Sequence, residues 1–172
     1  LLSVEIQRTK SEGGIIQKAP SVTTSFQPDI SSDYIENMSL RIDYYYRIGS
    51  ATSVEQLNKI EKELVDVFGP IPDKTKNLLL VASLKIKYKP TPVSQIDIQD
   101  SVLKIVVQPL SEDKQLDFLS RVGIYKHKTL ESVRFKEVSG GLLGVFLKVS
   151  GSESIFDLLF DFVHLFDSID TA

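Results

Sequence analysis

Cysteine is missing from the chain altogether, and with it go disulfides, thiolate metal sites and cysteine nucleophiles. That absence fits a reducing cytoplasm, the compartment expected for this protein. Histidine occurs twice, at His127 and His164, which leaves little material for an imidazole-based centre. No apolar run approaches the ~20 residues needed to span a bilayer, so no membrane partner is expected. Charge of one sign does not dominate either: 20 Lys+Arg stand against 23 Asp+Glu, a net charge of -3, and no global field draws in nucleic acid. A phosphate-cradling loop of the form G-x-x-x-x-G-K-[ST] is also lacking. The nearest thing, Gly140-Gly141-x-x-Gly144, lies inside a hairpin instead of opening a helix, and reads as a turn. No cofactor is therefore expected.

What is present suits one soluble globular domain: 172 residues, 42% hydrophobic and 25% charged, enough chain to bury a sizeable core. The N-terminus reads Leu1-Leu2-Ser3, without an initiator Met or a signal peptide, so the chain is read as a fragment of a longer protein. Its organising stretch runs from Ser53 to Leu80. Leu57, Ile60, Leu64 and Val67/Phe68 recur at helical spacing while Glu55, Lys59, Lys62, Glu63 and Asp66 fill the rest of the circumference, which predicts an amphipathic helix. Ser53 and Gln56 fit a capping box, Gly69-Pro70 supply the stop, and Pro72 opens the next helix.

Before this stretch, residues 1–12 carry a thin helical stripe and residues 13–20 read as a connector. Ser21 to Pro28 has the β-branched and aromatic content of an edge strand. Tyr34, Ile35, Met38, Ile42, Tyr45 and Ile48 recur at three and four and predict a helix ending near Gly49, with Arg41 and Arg47 off its stripe. After it, Asp73 to Tyr88 is apolar almost all round and is expected to be buried on most sides. Val93–Ile98 and Val102–Gln108 read as a hairpin, Ser111 caps a helix to about Val122, and Ser132–Val138 and Leu142–Val149 flank the turn at Ser139-Gly140-Gly141. Ser152 or Ser154 caps a last helix whose aromatics, among them Phe156, Phe160, Phe162 and Phe166, are assigned to the core. The layout predicts an α+β fold, helices packed on an antiparallel sheet of about four to five strands. Residues 1–30 form an N-terminal connector with a possible helix and edge strand, and residues 31–172 a single α+β domain.

Three groups of side chains bear on function. Asp157, Asp161 and His164 share one face of the last helix, which is read as its solvated side in preference to a metal site or hydrolase centre. Lys74, Lys76, Lys85, Lys87 and Lys89, with Tyr88 among them, are explained by solubility and by the helix C-terminus, the alternative being a module that holds nucleic acid. Tyr44, Tyr45 and Tyr46 are successive helical residues that cannot all face one core. One or two must emerge, and an exposed Tyr44 or Tyr46 beside Arg41 and Arg47 makes a candidate interaction surface.

Four segments, in order and spacing, carry a resemblance: Tyr34-Ile35; Arg41-Ile42-Asp43-Tyr44-Tyr45-Tyr46-Arg47-Ile48; Glu63-Leu64-Val65-Asp66-Val67-Phe68-Gly69-Pro70-Ile71-Pro72; and Asn77-Leu78-Leu79. Together they resemble the C-terminal domain of the bacterial transcription-repair coupling factors, the Mfd or TRCF family, over residues 30–84 by motif and beyond that by the order of hairpins and helices. Three departures stand out: Ser31 where a proline usually precedes the Tyr-Ile pair, Val67 where an Arg is usual, and Lys87 to Pro92 in place of a Gly-Ile step.

The resemblance implies a parent that is an ATP-dependent DNA translocase, displaces stalled RNA polymerase from double-stranded DNA and recruits the nucleotide-excision-repair protein UvrA. It implies that this fragment is itself non-catalytic, a monomer in isolation, and docks within its parent on a UvrB-like module, so autoinhibiting by masking the surface that UvrA recognises.

Overall fold

Ile96, Ile98, Leu103, Ile105, Val107, Val145 and Leu147 recur at every second position along three adjacent strands and are almost wholly buried. They form the floor of the larger of two apolar cores. In the computed structural model, which describes residues 18–150, 155–167 and 169, the elements follow in the order β1 (Ser21–Thr24), α1 (Met38–Ser50), α2 (Val54–Phe68), α3 (Asp73–Tyr88), β2 (Val93–Gln99), β3 (Val102–Val107), α4 (Glu112–Ile124), β4 (Leu130–Val138), β5 (Leu142–Val149) and α5 (Ile155–Phe162). A 3-10 turn, Val163–Phe166, continues α5. The class is α+β, with a five-stranded sheet in the order β1-β2-β3-β5-β4.

The sheet is mixed. The two hairpins β2–β3 and β4–β5 are antiparallel and join through β3–β5, but β1 lies parallel to β2, with Val22 opposite Ile96. The parallel pairing follows from connectivity: three helices intervene between β1 and β2, and a crossover that long can return the chain in the same direction. The turns are those the glycines and short polar residues allow. Gly140 and Gly141 take φ of 79° and 74°, and Asp100 in the β2–β3 turn takes 34°.

One face of the sheet packs on α5, α4 and the C-terminal half of α3. Phe118, Val122, Leu158, Leu159, Phe162 and Phe166 fill the space, and Phe118 stacks on Phe166 at 4.7 Å between ring centroids. The last-helix aromatics divide: Phe162 and Phe166 are buried, while Phe156 and Phe160 pack half-exposed against the same core. The expected caps Ser152 and Ser154, and residues 1–12, lie outside the described residues.

The second core lies between α1, α2 and α3 and holds Ile30, Ile35, Tyr44, Ile48, Leu57, Ile60, Leu64, Ile71 and Leu79. Helix α3 joins the two, offering Leu79 to one core and Leu84 and Tyr88 to the other. The Tyr88 hydroxyl, deep in that junction, donates to the Leu159 carbonyl at 2.7 Å. In the Lys87 to Pro92 stretch that replaces the Gly-Ile step, Thr91 folds back on α3, its N–H and hydroxyl both donating to the Tyr88 carbonyl.

The first long helix departs from expectation. It starts at Met38, because Asn37 caps it by accepting from the Leu40 N–H at 3.1 Å, and Tyr34 and Ile35 belong to a turn closed on the Ser31 carbonyl. The helical phase therefore cannot be counted from Tyr34. Its buried face is Tyr44 and Ile48, with Arg41 alongside, whereas Met38 is 67% and Ile42 57% exposed.

Candidate interaction surface

At the Gly-Pro corner several of the residues that carry the resemblance converge. Gly69 ends α2 at φ 83°, ψ -160°, its N–H donating to the Val65 carbonyl at 2.9 Å. The Tyr34 hydroxyl lies within 3.1 Å of both the Leu64 and Gly69 carbonyls and ties the preceding turn to the helix end. Phe68 sits between Tyr34 and Tyr44, edge-on to each at 5.8 Å. Leu64 beneath is fully buried, Ile71 closes the corner, and the Pro72 carbonyl accepts from Thr75 and Lys76 to begin α3. Leu78 packs half-buried against this core, Asn77 is half-buried, and Asp66 and Pro70 face solvent.

A polar clasp spans the corner from α1 to α2. Glu63 accepts from the Tyr44 hydroxyl at 2.8 Å and receives both terminal nitrogens of Arg47, one of them at 2.8 Å. The Arg47 guanidinium lies 4.9 Å over the Tyr44 ring. The Arg47 hydrogen bond first, and then the Tyr44 hydroxyl, hold the Glu63 carboxyl down from 4.5 to about 2. Arg47 is pushed up in turn, chiefly by the same hydrogen bond, and burial raises Tyr44. On the other side of α1, Arg41 donates to the Ile35 and Glu36 carbonyls at 2.6 and 2.9 Å and pins the turn that holds Ile35. Tyr45 donates to Asp29 and accepts from the Ile30 N–H at 2.7 Å.

This corrects the proposed pairing of exposed tyrosine and arginine. Tyr44 is buried, at 4% exposure, and Arg47 and Arg41 are half-buried and engaged. Tyr45 is 36% exposed and Tyr46 emerges furthest, at 74%, sharing an outward face of α1 with Met38 and Ile42. The clue in the sequence was Glu63: an acid on the next helix could claim Arg47 and Tyr44 from the same side.

The remaining candidates disperse. At 100° per helical residue, Lys74, Lys85 and Lys89 project from one side of α3 and Lys76 and Lys87 from nearly the opposite one. Lys76 pairs with Asp73 at 3.3 Å and Lys87 lies 5.6 Å over the Phe160 ring. Asp161 accepts from the Tyr125 hydroxyl at 2.8 Å, His164 meets Asp167 at 3.1 Å, and Asp157 is exposed. Among the described residues no group of three or more acidic, histidine or cysteine side chains is placed to hold a metal ion, and no helix is long and apolar enough to cross a membrane. His127 contacts Thr129 at 2.8 Å in the loop before β4.

Comparison with known proteins agrees with the geometry. Residues 24–118, more than half of the chain, match the model of the TRCF domain family. The transcription-repair-coupling factor of Haemophilus influenzae is 38% identical over 68 residues, 40% of this chain and 6% of that protein. That of Rickettsia prowazekii is 26% identical over 125 residues, 70% of this chain and 11% of the relative. The chain thus spans roughly a tenth or less of the length of these curated relatives. A crystal structure of the C-terminal domain of a transcription-repair coupling factor superposes with a TM-score of 0.69 at 17% identity, over 90% of this chain and 94% of that one. With the family model covering the clasp and its corner, and the same fold recurring in that crystal structure, the chain belongs to the TRCF domain family.

Proposed function

We propose that the chain is the non-catalytic C-terminal regulatory domain of a transcription-repair coupling factor, and that it acts by docking inside its parent. The parent, on this reading, is an ATP-dependent DNA translocase that displaces stalled RNA polymerase and recruits UvrA. The domain covers the UvrB-like module that UvrA recognises until the parent engages its target. One observation carries the docking part: Met38, Ile42 and Tyr46 form an exposed apolar face on α1, on the side away from the clasp that anchors the helix. A rigid helix with an uncovered aromatic and two aliphatic side chains is the kind of surface that interfaces bury. The energetic demand is small. Keeping a protein about 99% closed takes only ~2.7 kcal/mol of docking, within reach of one standard-sized interface.

The test is UvrA pull-down and ATPase rate for the intact parent, for the parent lacking residues 31–172, and for Tyr46→Ala, at matched salt. Both readouts are expected to rise in the deletion and partly in Tyr46→Ala. Unchanged UvrA binding in the deletion ends the masking idea, and a loss of DNA affinity instead favours a nucleic-acid-holding module built on Lys74 to Lys89. The division of those lysines between two sides of α3 makes the second reading the weaker one.

A further inference from the structure

At the sheet edge opposite β1, strand β4 pairs, among the described residues, with β5 alone and leaves its other side unpaired over nine residues. A strand of that length with an open edge is a template for another extended chain unless something covers it. Here it borders a groove. Between β4 and α4 lie two compartments: about 490 Å³ beside Val122, Gly123, Leu130 and Val133, and about 370 Å³ beside Gln115, Leu119 and Leu143. Phe135 lines both and is 40% exposed.

Strand alternation sorts the β4 side chains. Phe135 lies opposite Val145, a core residue, so it shares the helix-facing side of the sheet, whereas Arg134, opposite Phe146, and Lys136, opposite Gly144, project from the other side. Both cations are exposed, and neither has an ion-pair partner among the described residues. Glu131 is already paired with Lys148 at 2.9 Å.

We propose that β4 takes up an extended peptide as a sixth strand. The peptide alternates apolar residues, which enter the two compartments and cover Phe135, with acidic residues facing Arg134 and Lys136. A same-side spacing of about 6.8 Å places successive apolar side chains before, over and after Phe135. A second copy of this chain fits poorly. Full-length antiparallel self-pairing is centred on Arg134, setting that residue against itself and Glu131 against Glu137, and like charges directly opposite are unfavourable. The site lies across the sheet from the α1–α3 corner and is independent of the docking proposed above.

The experiment is an NMR titration of the isotope-labelled 172-residue chain with the synthetic peptide Ac-Lys-Val-Asp-Ile-Glu-Val-Gly-NH2, against a control in which lysines replace the two acids. Saturable shifts on the β4 amides and on Leu119 and Phe135 are expected, with the control about tenfold weaker. The double variant R134E/K136E, at exposed positions and checked by thermal melting, is expected to reverse that preference. Should it melt early, Phe135→Asp serves in its place and is expected to abolish the shifts. The proposal is overturned by no saturable shift at about 1 mM peptide, the weak end of the affinity scale. Equal binding of both peptides, shifts centred on β1 or α1, or β4 shifts that depend on protein concentration alone overturn it as well.

Discussion

Replacing Glu63 removes the common acceptor of the clasp, and the size of the loss can be worked from its geometry. The carboxyl receives the two terminal nitrogens of Arg47 and the Tyr44 hydroxyl. Its lowering from 4.5 to about 2 corresponds to about 3.5 kcal/mol at ~1.4 kcal/mol per pH unit in an unscreened site. The Glu63 and Arg47 side chains are 43% and 35% exposed, however, and solvent screening reduces the ion pair to about 1 kcal/mol. Glu63→Gln, which keeps an oxygen for Tyr44, is expected to cost about that. Glu63→Ala also strands the hydroxyl of a buried tyrosine, and the total rises to about 2 to 3 kcal/mol. The sign with pH follows from a depressed folded-state value: the stabilisation is complete above about pH 4.5 and fades as pH falls through about 2. Urea denaturation of wild type and Glu63→Gln across that window is the assay. A difference that is the same near pH 2 as near pH 7, or no difference at pH 7, refutes the clasp as the source of the stability.

Phe68→Ala is expected to cost about 2 to 3 kcal/mol, below the ~3 to 5 of a fully buried phenylalanine, because the ring is half-exposed and its worth lies in two edge-on contacts; a denaturation midpoint equal to wild type would make the corner peripheral. Gly69→Val is expected to cost about 1 to 3 kcal/mol through backbone strain alone, since φ 83° and ψ -160° lie in a glycine-only region although no atom lies within 4 Å of the missing Cβ. Gly144→Ala meets the opposite problem, a Cβ placed 2.9 Å from the Val138 methyl and 3.1 Å from the Lys136 carbonyl, with an expected loss of about 1 to 3 kcal/mol in chemical denaturation. The isolated chain is expected neither to bind ATP in calorimetry nor to change its melting temperature with added divalent metal; a metal-dependent shift would revive Asp157, Asp161 and His164 as a site.

Elements whose ends carry their own chemical signals were legible in the sequence. Helix α2 has its cap at Ser53, which accepts from the Gln56 N–H at 3.3 Å, and its stop at Gly69. Helix α3 and strand β5 likewise run over the expected spans, Asp73–Tyr88 and Leu142–Val149. Even there the reciprocal arm of the capping box lands one residue early, Gln56 accepting from the Thr52 N–H at 2.8 Å. What periodicity misjudged was α1. An apolar spacing that ran continuously from Tyr34 to Ile48 crossed a helix start set by Asn37, and that start depends on a local hydrogen bond that spacing does not register. The parallel β1 was equally hidden, because strand direction is decided by the crossover and not by the four residues of the strand.

The clasp also separates two roles that a motif alone runs together. Tyr34, Arg41, Arg47, Glu63, Phe68 and Gly69 carry the sequence resemblance, yet each is spent on a contact or a turn within the domain: a hydroxyl tied to two carbonyls, a guanidinium on two more, an ion pair between helices, a ring between two tyrosines, a glycine at a forbidden angle. Their joint effect is to hold α1 against α2 and fix the bearing of its outer face. On the docking proposed above, a residue at that outer face needs only to be apolar and of the right size for its partner. It follows that substitutions in the clasp should lower stability and interdomain docking together, whereas Tyr46→Ala should lower docking at unchanged stability. Measuring both for Arg47→Ala and Tyr46→Ala distinguishes a scaffold from the surface it presents, and equal loss of stability in the two would mean that no such division exists.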